Sequence, residues 1–122
     1  MLNDSVEFKI KQNTYKIEDV RVGHFIDFER MKASLSGGMY GQMLRMGTVA
    51  AEEALTMVDI EAFFTVFCPK LIKDLESERF KDLGLKDFKE IRKVYIDKIV
   101  PWYNSYIELL KPEKVDESDV KA

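Results

Sequence analysis

Val6, Phe8 and Ile10 alternate with Glu7, Lys9 and Lys11, the period of two that marks a half-buried strand. Gln12-Asn13 offers a turn, after which Tyr15 and Ile17 resume the alternation. The pattern predicts a β-hairpin over Val6 to Ile17, open to extension by a short third strand at Val20 to Val22. Two strands alone are marginal in water, so their apolar face must pack on the helices downstream.

From His24 onward the spacing turns helical. Phe25, Phe28, Met31 and Leu35 share one face of a first helix, which Gly37-Gly38 should end as a glycine C-cap. Met39, Met43 and Met46 stand at i, i+4 and i+7, on one face of a short second helix closed by Gly47. Thr48 is a fitting N-cap for the third, whose first turn carries Glu52 and Glu53 where the helix dipole favours negative charge.

This third helix, about Val49 to Cys68, is the expected centre of the fold. Ala51, Leu55 and Val58 mark one side of its first half, whereas Ala62-Phe63-Phe64-Thr65-Val66-Phe67-Cys68 is apolar nearly all round. A helix apolar on every side must be covered on every side. Pro69 ends it and can open a short helix through Leu75. Asp87 and Glu90, three apart, match a capping box with Asp87 as N-cap of a last helix. That helix carries Phe88, Ile91, Tyr95, Ile99, Trp102, Tyr106 and Leu110, and Pro101 should kink or restart it. Together these elements predict an α+β fold, mostly α-helical, with an N-terminal β-hairpin (about 6–22) packed on a bundle of four to five helices. Residues 1–111 would form one domain, and the acidic stretch 112–122 a disordered tail.

Composition narrows the function. With 122 residues, 46% hydrophobic and 34% charged, the chain can bury one core without disulfides. A net charge of −3 leaves no footprint for nucleic acid. Cys68 stands alone, which excludes an internal disulfide or a cysteine-rich zinc site. The N-terminus lacks the marks of a secretory signal, and no apolar run approaches the roughly 20 residues that cross a bilayer, so the cytoplasm is the expected compartment.

Candidate chemistry is sparse. His24 is the only histidine and sits at a helix start, where a capping role outweighs lone acid–base work. Cys68, among phenylalanines, reads as inert core. Glu52-Glu53 and Asp59 with Glu61 could be imagined as acid–base pairs or cation ligands, but helical neighbours diverge, and they read as a solvated face. The glycines around residue 37 lack the lysine and pattern of a phosphate loop. No enzyme, metal or cofactor is expected. The methionine stripe reads first as core, with an adaptable groove for a partner helix as its functional alternative. Eight phenylalanines, five tyrosines and a tryptophan are many to hide in so small a domain, and a surplus would favour partner or oligomer contacts.

The order of signposts resembles a known family. The hairpin Val6 to Ile17, Val22-Gly23-His24-Phe25-Ile26 leading to Leu35-Ser36-Gly37-Gly38-Met39-Tyr40-Gly41, Ala54-Leu55-Thr56-Met57-Val58-Asp59, Phe67-Cys68-Pro69-Lys70-Leu71 and Val100-Pro101-Trp102-Tyr103-Asn104 resemble the tail assembly chaperones of tailed bacteriophages. The resemblance spans about residues 6 to 111. It implies a non-enzymatic protein of the host cytoplasm that binds helical segments of the tape-measure protein, as a homo-oligomer, without nucleic acid, membrane or cofactor. A structural virion component, such as a head–tail connector or tail-completion protein, is the alternative. The partner surface expected on this reading is Met39, Tyr40, Met43, Leu44 and Met46, with Phe63 and Phe64 behind it.

Overall fold

A computed structural model describes residues 5–76 and 80–111. Strands β1 (Val6–Ile10) and β2 (Asn13–Ile17) pair antiparallel, with Val6 opposite Ile17 and Phe8 opposite Tyr15. The alternation works as expected: Phe8, Ile10, Tyr15 and Ile17 are buried, while Glu7, Lys9, Thr14 and Lys16 face solvent. The turn falls one residue earlier than the sequence suggests. Ile10 pairs with Asn13, so the two-residue loop is Lys11-Gln12, both in the left-handed region at φ 50° and 69°. That is the backbone a tight hairpin needs, reached here without glycine. Val20 and Val22 form no third strand; Val22 already begins the first helix.

The loop is held from outside. The Lys11 N–H donates to Glu90 Oε2 at 2.6 Å, and Lys11 Nζ lies 2.8 Å from Asp87 Oδ2. This corrects the capping-box reading, because that helix starts earlier, at Leu85, with Gly84 as its N-cap. The two carboxylates grip the hairpin instead. On the other strand, Tyr15 donates its hydroxyl to Asp74 Oδ2 at 2.8 Å.

Helices α1 (Val22–Leu35), α2 (Tyr40–Met46), α3 (Val49–Phe67) and α4 (Pro69–Asp74) follow in order. Helix α1 ends in a Schellman arrangement: Gly38 N–H donates to Ala33 O and Gly37 N–H to Ser34 O, with φ 78° and 63°. Thr48 caps α3 as expected, its hydroxyl accepting from the Ala51 N–H. After a short 3₁₀ turn (Phe80–Asp82), α5 (Leu85–Val94) runs through a π turn (Tyr95–Ile99) into α6 (Val100–Leu110). Pro101 therefore neither stops nor restarts the helix. The Val100 N–H reaches back five residues to Tyr95 O, and this widened turn relieves the clash between a proline ring and the preceding carbonyls.

The core forms around α3, where Ile60, Ala62, Phe63 and Phe64 are wholly enclosed. Phe63 meets the rings of Phe28, Phe67, Tyr95, Trp102 and Tyr103, stacking on Phe67 at 4.4 Å and meeting the others edge-on. Every phenylalanine, tyrosine and tryptophan of the chain is buried or half-buried, so the expected aromatic surplus does not exist. The expected tail at 112–122 lies outside the described residues. Gln12 is exposed and makes no use of its side chain in the clamp, so Gln12→Gly should relieve left-handed strain. It is expected to raise stability by about 1 kcal/mol, read as a higher urea midpoint at unchanged slope.

Candidate functional site

Helix α2 contributes no buried residue. Met39 is 45% exposed, Leu44 63% and Met46 62%, and Val49 beyond them is 75% exposed. Met43 is half-buried, so the stripe does not serve as core. Tyr40 turns inward, donating its hydroxyl to Asp59 Oδ1 at 2.7 Å. The Lys32 ammonium sits 5.2 Å from the Tyr40 ring centre and 4.8 Å from that of Phe28, and is paired with Glu29. Burial raises the Asp59 carboxyl above its ordinary range, opposed by the Tyr40 bond and by Lys32. Burial likewise pushes the Tyr40 hydroxyl up, reinforced by Asp59.

The seven residues expected to meet a partner therefore divide. Met39, Tyr40, Met43, Leu44 and Met46 come together on α2 or at its start. Phe63 and Phe64 do not join them, because both are fully enclosed and present no surface. Their place in an all-apolar stretch flanked by ring-bearing helices is what takes them inside.

A second apolar feature escaped the sequence reading. Ala54, Met57 and Val58 of α3 face Phe80, Leu85 and Phe88 across a cleft of about 340 Å³. Glu61 also lines it, 7% exposed, with its carboxylate accepting the Phe80 N–H at 3.3 Å. Glu61 and Asp59 are thus not a solvated face, and the supposed carboxylate pairs disperse. Asp59 serves Tyr40, Glu61 serves Phe80, and Glu53 pairs with Arg92 at 2.8 Å. The one available signal for the cleft is the exposed pair Met57 and Leu85, 44% and 69% exposed, which periodicity alone does not bring together.

His24 closes the start of α1, accepting the Arg21 N–H on Nδ1 at 2.9 Å and stacking on Phe67 at 5.3 Å. Burial pushes the Cys68 thiol up, which suppresses the reactive thiolate. Among the described residues no group of three or more His, Cys, Asp or Glu is placed to hold a metal ion, and no helix is long and apolar enough to cross a membrane. No protein-family model, curated protein or solved structure matches the chain.

Two measurements test these assignments. Asp59 is harder to ionise folded than unfolded, so its contribution to stability falls as pH rises from 3.8 through its raised folded value. Asp59→Asn keeps an acceptor for Tyr40 and should remove that slope. Urea titrations at several pH values should show the variant gaining on wild type across that window and holding its advantage above it. His24→Ala should cost about 1 kcal/mol through the lost cap, measured by the same titration at neutral pH.

Proposed function

We propose that this protein is a tail assembly chaperone of a tailed bacteriophage. It binds apolar helical segments of the tape-measure protein in the host cytoplasm, as a homo-oligomer, and takes no part in chemistry. The family resemblance supplies the partner. The observation that carries the reading is the exposure of Met39, Leu44 and Met46, left in solvent by a fold that turns every aromatic ring inward. Methionine and leucine on an exposed helix offer an adaptable surface to the apolar face of another helix. The net charge of −3 would help keep such a complex soluble.

Tagged protein, captured during infection in its native phage, should bring down the tape-measure protein and be missing from purified virions by mass spectrometry. Presence in the virion at fixed stoichiometry would overturn this in favour of a connector or tail-completion protein. Lysine at positions 39, 44 and 46 should leave folding nearly unchanged, because none of the three is buried. Re-exposing roughly half of three apolar side chains, at about 1 kcal/mol each, should weaken capture about a hundredfold.

A further inference from the structure

Helix α2 is bounded at both ends by left-handed glycines, Gly37 and Gly38 before it and Gly47 after it, at φ 63°, 78° and 66°. A side-chain carbon at any of the three would meet nothing within 4 Å, so neither boundary is wedged by neighbouring atoms. Between these joints no α2 residue is buried, and the side-chain hydrogen bond from Tyr40 to Asp59 fastens the segment to α3. Asp59 lies ten residues into α3, whereas Gly47-Thr48 leads straight into its first turn. The two attachments therefore bracket the first half of α3. On that half, Ala51 and Leu55 are buried, 6% and 5% exposed, yet stand apart from the main core around Phe63.

We propose that α2 is a hinged strap, latched by Tyr40 on Asp59, which covers the Ala51–Leu55 face of α3 and swings away from it at the two glycine joints. Opening leaves the aromatic core closed and adds a second apolar strip to the one α2 already shows. The free protein carries this device whatever its partner is, so the outcome below bears on the strap and not on the tape-measure reading.

Hydrogen–deuterium exchange of the full chain, read by mass spectrometry, tests it. In Tyr40→Phe, which removes the latch and keeps the ring, peptides within 39–55 should exchange about five- to tenfold faster. Peptides from the hairpin and from 95–110 should keep their wild-type rates. Asp59→Asn, which retains an acceptor, should behave like wild type over 39–55. Equal acceleration throughout the chain, or none over 39–55, would overturn the strap. Wild type in low urea gives a second reading independent of any variant. There 39–55 should open below the denaturant range that releases α5 and α6, and opening only together with them would also overturn it.

Discussion

The second half of α3 presents apolar side chains in every direction, and a helix of that kind has no side to leave in water. Phe63 and Phe67 stack along it, Phe28 of α1 meets both edge-on, and Trp102 and Tyr103 of α6 close the far side. Such edge-to-face contacts each add roughly 0.5–1.5 kcal/mol beyond the area they bury. The hairpin joins the same cluster through Phe8, whose ring lies 5.6 Å from that of Phe64. One central helix thus dictates where α1, α6 and the hairpin must go.

Helix α2 is the counterpart of that arrangement. The aromatic second half of α3 is covered by elements that lay rings along it, and the seven residues between glycine joints lie against the first half instead. Leu44 and Met46, with Met39 just before them, are left to solvent, and the hold on the body passes through a tyrosine hydroxyl and a half-buried carboxylate. The cleft beside Met57 and Leu85 lies on another flank of α3, and its burial of Glu61 places a carboxylate on a backbone N–H rather than in water.

Features set by near neighbours along the chain were legible in the amino-acid pattern. The alternation in the hairpin, the glycine end of α1, Thr48 as a cap and Pro69 at a helix start each depend on a few adjacent residues. Features set by distant residues were not. Asp87 and Glu90 have the spacing of a cap, but that spacing carries no trace of Lys11 arriving from the other end of the chain. Phe63 and Phe64 look equally able to serve a partner or a core, and only distant rings decide: those of α1 and α6 around Phe63, and Phe8 and Tyr95 around Phe64. Pro101 reads as a break because the π turn that accommodates it depends on no special residue. Of the candidate surface, the Met39, Met43 and Met46 stripe could be read from its period, whereas the cleft required two segments nearly thirty residues apart to meet.

The clamp on Lys11 has a consequence for how the chain is made. Its partner Glu90 lies 79 residues further on, so the hairpin turn has nothing to dock against until those residues have been synthesised. A contact of that span closes late, after the helices between have nucleated locally. Until α3 and α4 have emerged to meet Phe8 and Tyr15, Phe8, Ile10, Tyr15 and Ile17 form an uncovered apolar strip on two strands with open edges, the kind of surface that invites pairing with another chain. Charged Glu7, Lys9 and Lys16 alternate with that strip and act as gatekeepers during the wait. The hairpin, made well ahead of its clamp, is therefore fastened only once α5 has formed.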